Sequence, residues 1–508
     1  MIRPTFVLAA LCATATAMAA PPAVPEVTVG AGQVKQLRFD FEIIPRSNYY
    51  ELWFKSNPGS AEVKFFESVP WHPYFVNNVS AHLLDWEQAR YRVTACNPSG
   101  CSSTAPISVA SLRKDVVGKF KAAHPFEGGR FGRTVTVSED GNTAAVLAPG
   151  DTDGAGDLQP STIYLYSRAS SGWRLQRRLP LTSHIDGGFT LALSADGNTL
   201  AIAAQGEKQL EDMESRGVVL VYTRSGTTWT RQAWIEVAVG FDGSFGEYVD
   251  LDDAGNTLVI GMNLEGVRIY TRANGTWSYT GYLQDPPGDL YDGVGCTHAV
   301  ISGDGKAAVR SCELGEVADE TWVEVFTAPD WKRRDLIVYP GLQSDNYTRA
   351  YATNLDRTGD VIAFGYYQYG GSGAHVDVYR REATGYQRSA RLGPGAWFPQ
   401  AADTRSSFGF RIELSSDAQV LAVGDFGDTG TGSGSLKPPL GPGTVPTGAA
   451  YIYDRRGTGW GLRRVLKPND PAPAGTDFAV SMAFGNKGRT LLVGEPGSEG
   501  NSGTFWMY

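Results

Sequence analysis

One phrase recurs seven times between residues 131 and 495, and it constrains the fold more than any other feature. Each copy has a short apolar segment, a tight turn such as Asp140-Gly141-Asn142, and a second apolar segment. A recurrence of roughly 50–70 residues is typical of a solenoid, propeller or array. The turn residues are Gly141, Gly197, Gly255, Gly305, Gly359 and Gly488, with Ala418 in the remaining copy.

Each repeat has the pattern of four short strands. In the second copy the strands are FTLALS, TLAIAA after Asp196-Gly197-Asn198, GVVLVYTR and TWTRQAWI. Four such strands make one propeller blade, which cannot bury both of its faces alone. The sequence therefore predicts an all-β fold with a seven-bladed β-propeller over residues 116–508.

The ends of this region predict how the ring closes. The seventh copy stops at its third strand, GTFWMY, whereas VVGKFKAAHPF precedes the first copy and begins at Val116. We expect this early segment to supply the missing strand, because closure removes an open sheet edge. Aromatic residues at one register of the fourth strands are expected to pack between blades. They are Trp173, Trp229, Trp277, Trp331, Tyr386 and Trp460.

Composition limits the partners and the compartment. The net charge of −9 disfavours nucleic acid and anionic membranes as partners, because a protein that binds either of them needs a basic surface. Residues 1–19 have a basic start, an apolar core and the small-residue site Ala17-Met18-Ala19, which predicts a secretory signal peptide. No later stretch reaches 18 apolar residues. We expect a soluble, monomeric protein in the periplasm or outside the cell.

Four cysteines remain after the predicted signal peptide, an even number that favours disulfides in an exported chain. Cys96 and Cys101 bracket the turn NPSG. Cys296 and Cys312 lie symmetrically about Asp304, which places them opposite each other on paired strands. The sequence predicts that both pairs are oxidised.

Residues 22–112 carry no copy of the repeat. Alternating segments such as YYELWF, from Tyr49, and RYRVTAC, from Arg90, predict an antiparallel β-sandwich. The segment resembles a fibronectin type III domain, with Trp53 on the strand that usually carries the core tryptophan and Tyr91 at the tyrosine-corner position. That resemblance implies a spacer or a protein-contact module.

The repeated phrase itself resembles FG-GAP repeats, the units of integrin alpha-chain propellers. Phe131-Gly132, Phe245-Gly246 and Phe408-Gly409 match the FG, and Ala148-Pro149 matches the end of the motif. Metal-binding members of that family carry D-x-D-x-D-G-x-x-D between the first two strands. Here that hairpin is shortened to S-x-D-G-N-T, and a single carboxylate cannot supply the six to eight oxygens that calcium needs. We expect no cofactor in these turns.

One calcium site is still a candidate in the first repeat. Asp151, Asp153 and Asp157 place three carboxylates within seven Gly-rich residues, enough to wrap one ion. The alternative is a solvated turn, which short acidic runs often form. Asp425 and Asp428 form a weaker version of the same pattern.

A cluster of aromatic residues in the fifth repeat is the candidate ligand-binding surface. We place these residues in two neighbouring loops on one face, where planar rings could contact sugars or a protein. The alternative is that some of them pack inward. They are Tyr366, Tyr367, Tyr369, Trp397 and Phe398.

Motifs for catalysis are absent from the sequence. The six histidines are scattered, and there is no G-x-S-x-G, HExxH or phosphate loop. Thr429 to Pro446 is a Gly-, Ser- and Pro-rich insertion with the composition of a mobile loop. Two hypotheses follow: a non-catalytic recognition or adhesion protein that binds a protein or glycan, or a polysaccharide hydrolase or lyase that uses carboxylates in the propeller funnel.

Overall fold

The computed structural model describes most of the chain outside its N-terminus. The described residues are 20–152, 158–159, 161–181, 190–204, 217–237, 245–262, 266–283, 294–314, 321–339, 348–368, 374–393, 407–436, 443, 445–469 and 475–508. The predicted signal peptide lies outside them. Contacts divide the chain into two compact units, of which unit 1 comprises Met1–Gly32, Gln36–Asn78 and Leu84–Leu112. Unit 2 comprises Gln33–Lys35, Val79–Leu83 and Arg113–Tyr508.

Unit 1 is built from two antiparallel sheets. Strands β1, β2 and β5 form one, and β4, β3, β6 and β7 form the other, with β8 paired to β6. The strands are β1 (Val27–Ala31), β2 (Gln36–Phe41), β3 (Tyr49–Lys55), β4 (Val63–Ser68), β5 (Tyr74–Asn78), β6 (Arg90–Asn97), β7 (Gly100–Ser103) and β8 (Ile107–Ser108). A 3₁₀ turn, Ala110–Leu112, ends the unit.

The tryptophan buried in unit 1 is not the one that the sequence pointed to. Trp86 is fully buried, whereas Trp53 is half-buried and its indole N–H donates to the Glu51 carboxylate at 2.8 Å. Tyr91 is buried and its hydroxyl accepts a hydrogen bond from the Asn77 amide at 2.9 Å. Trp53 was misplaced because alternation alone does not say which side of a strand faces the core.

The same unit contains the first cysteine pair. Cys96 on β6 and Cys101 on β7 are register partners, and a disulfide joins them with their Cα atoms 4.1 Å apart.

Unit 2 contains, within the described residues, seven antiparallel sheets of four or five strands, named I to VII in chain order. Sheet I is β10 (Thr134–Val137), β11 (Thr143–Ala148), β14 (Thr162–Ala169) and β15 (Gly172–Pro180), with a hairpin of β12 (Asp151–Thr152) and β13 (Leu158–Gln159). Sheet II is β16 (Leu191–Leu193), β17 (Thr199–Ala204), β18 (Val218–Ser225) and β19 (Thr228–Ile235). Sheet III is β20 (Phe245–Leu251), β21 (Thr257–Met262), β22 (Gly266–Ala273) and β23 (Thr276–Tyr282).

The remaining sheets repeat this order. Sheet IV is β24 (Val294–Ile301), β25 (Ala307–Leu314), β26 (Thr321–Thr327) and β27 (Lys332–Tyr339). Sheet V is β28 (Thr348–Leu355), β29 (Val361–Gln368), β30 (His375–Glu382) and β31 (Gly385–Leu392). Sheet VI is β32 (Arg411–Leu414), β33 (Val420–Asp425), β35 (Ala449–Arg456) and β36 (Gly459–Lys467), with β34 (Gly434–Leu436) on β36. Sheet VII is β37 (Met482–Gly485), β38 (Thr490–Glu495), β39 (Thr504–Met507) and β9 (Gly118–Lys121). A helical turn, Ser498–Asn501, precedes β39, and no helix in the described ranges is long and apolar enough to cross a bilayer.

The repeated phrase forms a hydrogen-bonded turn between the first two strands of each sheet. In six copies a buried side-chain oxygen accepts the backbone N–H of the residue five positions later, as Ser194 does from Thr199 at 2.9 Å. The glycine adopts a left-handed φ, +65° at Gly255, where an added Cβ would lie 2.9 Å from the Thr199 hydroxyl of sheet II. Equivalent bonds to Ser138, Asp252, Ser302, Asp356 and Ser415 lie between 2.9 and 3.0 Å.

The carboxylate in these turns is already engaged. In the S-x-D copies the serine hydroxyl donates to the aspartate, as from Ser302 to Asp304 at 2.7 Å. Where aspartate replaces that serine, the acid two positions on is also replaced, by Ala254 in one copy and Thr358 in another. In these six turns, therefore, one acid at the first or third of these positions accepts hydrogen bonds within the turn.

Apolar side chains pack each sheet against the next. Phe131 is fully buried with its ring edge-to-face to Tyr164 at 5.0 Å, and Phe408 repeats this against Tyr451 at 5.3 Å. The fourth-strand aromatics also pack into these cores, as predicted: Trp229 and Trp331 are buried, and Trp173, Trp277, Tyr386 and Trp460 are partly buried.

The predicted closing strand is present. Strand β9 pairs with β39, with Phe120 opposite Phe505, and their rings stack at a centroid distance of 4.7 Å. The N-terminal strand of unit 2 thereby completes sheet VII.

The insertion of residues 429–446 differs from its sequence prediction. Its central residues form β34, which pairs with β36, and Ser435 within it is buried. Composition predicted a mobile loop because Gly, Ser and Pro dominate the segment, but the free edge of β36 offers it a partner. This part of the prediction was wrong.

Deleting residues 116–123 should leave β39 as an open edge and expose Phe505. We expect aggregation or a loss of several kcal/mol in the free energy of unfolding, because a core aromatic would lose its cover. Denaturant titration of the deletion variant against the parent measures this. A variant lacking residues 20–25, which precede β1, is the control. Equal stability of the 116–123 deletion and the parent would contradict the closure.

Candidate functional site

A belt of backbone hydrogen bonds links the turns of successive sheets. Ala195 in the turn of sheet II accepts from the Asp140 N–H of sheet I at 2.9 Å and donates to the Asp253 carbonyl of sheet III at 2.9 Å. Sheets VII and I are joined by Asn486 N–H to the Glu139 carbonyl at 2.6 Å. The same kind of bond joins III to IV, IV to V and V to VI, through Asp253 to Gly303, Asp304 to Arg357 and Arg357 to Ser416.

The two ends of the sheets differ in the length of their connections. At the belt end the first and second strands are joined by four or five residues, as at 138–142, and the third and fourth by two to four, as at 226–227. Because successive strands alternate in direction, all other connections leave from the opposite end, which we call the loop end. These connections reach 13 residues at 149–161, 18 at 393–410 and 23 at 426–448, the last including β34.

A cavity of about 210 Å³ lies inside the first strands of all seven sheets. Small or apolar residues, such as Ala192, Val300 and Ala483, contribute part of its lining. The larger polar side chains come mainly from sheets III to VI. They are Tyr248, Asp250, His298, Asn354, Arg411 and Glu413, with Glu139, Asp253, Arg357 and Ser416 at the belt.

Asp250 and Glu413 are the two carboxyls in the middle of this cavity, each five residues before the turn residue of its repeat. Burial raises the pKa of Asp250 to about 7, although its two oxygens accept the N–H groups of Leu251 and Ile301 at 2.9 Å each. Burial likewise raises the pKa of Glu413 to about 7, opposed by Arg411 and supported by the charge of Asp250. Both acids are therefore partly protonated near neutral pH.

Tyr248 lies two residues before Asp250 on β20. His298 lies three residues before the end of β24, and Arg411 is the first residue of β32. The His298 ring is edge-to-face with Tyr248 at 4.7 Å. Burial, together with the positive charge of Arg411, lowers the pKa of His298 to about 3, so this histidine is neutral at physiological pH. Arg411 Nε lies 3.7 Å from Glu413 Oε1, an ion pair longer than a hydrogen bond.

The predicted aromatic surface is only partly within the described residues. Tyr366 and Tyr367 belong to β29, opposite Ala350 and Arg349 on β28, and not to a loop as the sequence suggested. They lie near the loop end of the strand, and the positions of their side chains are outside the description. Tyr369, Trp397 and Phe398 lie outside the described residues, so the convergence of the five rings stays a prediction.

The predicted calcium site is likewise mostly undescribed. Asp151 begins β12, and Asp153 and Asp157 lie outside the described residues, so calcium binding there stays a prediction. Among the residues that are described, no group of three metal-ligating side chains is placed to hold an ion.

The weaker acidic pair has a different partner. Asp425 and Asp428 are fully buried, and the ammonium of the equally buried Lys467 forms an ion pair with Asp428. Asp425 accepts hydrogen bonds from the Ser407 N–H and hydroxyl at 3.0 and 2.9 Å. A lysine therefore supplies the cation that the acidic pattern suggested.

The second cysteine pair, Cys296 and Cys312, are register partners on β24 and β25, as their symmetry about Asp304 predicted. A bulge follows Cys296 and sets the register of His298. Oxidation of this pair stays a prediction.

The cavity residues are not among the site residues predicted from the sequence. The signal was present as a position: five and seven residues before the turn glycine, or Ala418, the repeats differ in chemistry. His298, Arg411 and Glu413 each occupy such a place once. Without a repeated pattern, nothing in the sequence singled them out.

Comparison with known proteins gives structural likeness only. No protein-family model matches the chain, and no curated protein matches it. The β-propeller domain of Cps50 (Swd1) from Myceliophteria thermophila is 12% identical with a TM-score of 0.48, covering 77% of this chain and 99% of that one. The periplasmic gluconolactonase of Pseudomonas aeruginosa is 14% identical with a TM-score of 0.44, covering 84% and 98%.

An oligogalacturonate lyase from Vibrio parahaemolyticus is 9% identical with a TM-score of 0.43, covering 77% of this chain and 96% of that one. These scores are all below 0.5, and the fold assignment rests on the chain's own sheets. Consecutive antiparallel sheets whose first strands surround one cavity make this an all-β protein of β-propeller architecture.

Replacing Glu413 with Gln should change how stability depends on pH. A carboxyl whose folded-state pKa is raised stabilises the fold fully below its unfolded pKa, near 4.3, and this stabilisation is lost as the pH rises to about 7. Relative to the parent, Glu413→Gln should gain up to about 3 kcal/mol between pH 4 and pH 8. Chemical denaturation at both pH values measures this.

The control for this experiment is Glu382→Gln, at an exposed glutamate at the end of β30. This variant removes an exposed carboxyl outside the cavity and gives the baseline for the comparison. A difference for Glu413→Gln that does not vary with pH beyond this baseline would show that Glu413 ionises normally in the fold.

Proposed function

We propose that this protein is an exported, non-catalytic recognition or adhesion protein. In this proposal a seven-bladed propeller related to FG-GAP repeats binds a protein or glycan at its loop end. A fibronectin type III-like sandwich in unit 1 serves as a spacer or contact module. Export through a signal peptide at residues 1–19 is part of the same proposal.

The observation that carries this proposal is the difference between the two ends of the sheets. The belt end has only short turns, fixed by buried hydrogen bonds and by bonds between sheets. Every long connection lies at the loop end. Rigid scaffolds commonly present binding residues on loops of this kind, because the loops can vary without disturbing the core.

The propeller relationship is supported by the packing of the FG pairs. Phe131, Phe245 and Phe408 are fully buried, and the glycines that follow them have φ of +89°, +79° and +87°. The motif therefore has the same structural role in three copies. The strand order of unit 1, β1-β2-β5 and β4-β3-β6-β7, supports the sandwich in the same way.

The aromatic residues of the fifth repeat are the proposed contact residues. Strand β29 ends at Gln368, at the loop end, so Tyr369 starts a loop-end connection. Trp397 and Phe398 belong to the connection 393–410, which leaves the same sheet at the same end. Aromatic anchors at such positions dominate many protein and glycan interfaces.

A hydrolase or lyase is the second candidate, and the pair Asp250 and Glu413 favours it. Two half-buried carboxyls with a pKa of about 7 are suited to general acid–base chemistry near neutral pH. Against this, both oxygens of Asp250 already accept backbone hydrogen bonds. The cavity of about 210 Å³ is also smaller than the roughly 300–1,000 Å³ typical of ligand sites, too small for a polymer chain.

A glycan array combined with a turnover screen on polysaccharides separates the two candidates. Recognition predicts saturable binding without product formation. Turnover of any polysaccharide that is lost in Glu413→Gln would replace the recognition proposal with the enzymatic one.

Trp397→Ala tests the proposed contact surface on any ligand that the array finds. We expect affinity to fall by roughly 30-fold or more, equivalent to about 2 kcal/mol, with little change in melting temperature. Trp71→Ala is a matched control, since Trp71 is an exposed tryptophan of unit 1. Unchanged affinity in Trp397→Ala, or a stability loss of about 3–5 kcal/mol, would mean that Trp397 packs inward instead.

A further inference from the structure

The polar residues nearest the loop end of the cavity form a second candidate site. Each first strand runs from the loop end towards its turn, so Tyr248 and Arg411 lie closer to the loop end than Asp250 and Glu413 do. His298 occupies the same register on β24 as Tyr248 does on β20. All three side chains line the cavity.

Arg411 has hydrogen-bonding capacity that the protein does not use. Its Nε is buried and has no hydrogen-bond partner within the part of the chain that the structure describes. Glu413, its ion-pair partner, is 3.7 Å away and does not occupy the guanidinium fork. A buried donor without a partner is costly, which makes a ligand with an acceptor favourable there.

His298 has the same property. Its Nδ1 is buried and has no hydrogen-bond partner among the described residues. The neutral imidazole can carry its proton on Nδ1 and donate it. Arg411 and His298 thus each have an unused donor, both residues line the same cavity, and Arg411 is permanently charged.

The surrounding charges set the kind of anion that fits. Arg411 and the neutral His298 favour a negative group. The positive field of Arg411 is also felt by Arg133, whose pKa is lowered by burial first, then by Arg130, and to a smaller extent by Arg411. Asp250 and Glu413 lie deeper and become negative as the pH rises. A monoanion is therefore favoured over a dianion.

We propose that this cavity binds a small carboxylate-bearing molecule, whose carboxylate is held by the Arg411 guanidinium and by His298. The planar guanidinium matches the two oxygens of a carboxylate. The volume of about 210 Å³ equals that of roughly seven water molecules, which limits the ligand to a few carbon atoms. The site is separate from the loop-end surface, and neither proposal depends on the other.

Isothermal titration of the full chain with acetate, lactate and succinate at pH 6 tests the site. We expect saturable binding of acetate or lactate at one site per chain, and weaker binding of succinate, which is mostly a dianion at this pH. Arg411→Gln should weaken it by roughly tenfold or more, because a charge-assisted hydrogen bond is lost. Arg411→Lys should retain part of the affinity, since it keeps the charge and loses the fork. Arg381→Gln, at an exposed arginine of β30, is the matched control and should bind like the parent.

A second variant and a second pH keep the proposal testable if the Arg411 variants misfold. His298→Phe keeps an aromatic ring against Tyr248 and should weaken binding several-fold. For the parent, affinity should fall between pH 6 and pH 8, because Asp250 and Glu413 ionise in that range and repel the carboxylate. The other charged groups facing the cavity are Glu139, Asp253 and Arg357 at the belt.

Three outcomes would overturn the proposal. The first is the absence of saturable binding by acetate, lactate and succinate. The second is equal affinity in the parent, Arg411→Gln and His298→Phe, which would place the carboxylate elsewhere. The third is tighter binding of inorganic phosphate than of any carboxylate at pH 6.

Discussion

The hydrogen bond from a backbone N–H to a buried side-chain oxygen five residues earlier recurs in six of the seven turns, and the rest of unit 2 depends on it. It fixes a tight turn in which the backbone of the glycine, or of Ala418 at φ +50°, is in the left-handed conformation. Only a turn this compact lets the neighbouring sheet approach closely enough for bonds such as Ala195 N–H to the Asp253 carbonyl. The belt therefore depends on the repeated Ser or Asp, which accepts the hydrogen bond, and on the small residue three positions later, which allows the left-handed turn. In the seventh copy Gly485 takes the place of that Ser or Asp.

The belt also divides the unit into a constant end and a variable end. Constant turns hold the first strands at a fixed spacing, so residues two and four positions before the belt can differ between repeats without loss of the fold. Arg411, His298 and Asp250 occupy such places, and they give the cavity a polarity that varies from sheet to sheet. At the other end, connections of up to 23 residues vary freely in length. Binding chemistry can thus arise at two independent places on one scaffold.

The sequence predicted those elements that repeat or that depend on local chemistry. The DG turns, the pairing of β9 with β39 and the packing of Trp229 all follow from a recurring register. Features that depend on a single tertiary environment were not predictable in this way. Trp86 is buried instead of Trp53, Lys467 neutralises Asp428, and β34 is a strand despite its composition. In the last two cases a partner distant in sequence decided the outcome.

The central claim is that the turn hydrogen bonds form one cooperative structure, and hydrogen exchange measures this most directly. The amides that donate to the buried oxygens are those of Thr143, Thr199, Thr257, Ala307, Val361 and Val420. The account predicts that all six exchange only through global unfolding, with the free energy of opening found by denaturant titration. Rapid exchange at several of these amides while the protein stays folded would show that the turns open independently, and would contradict the account.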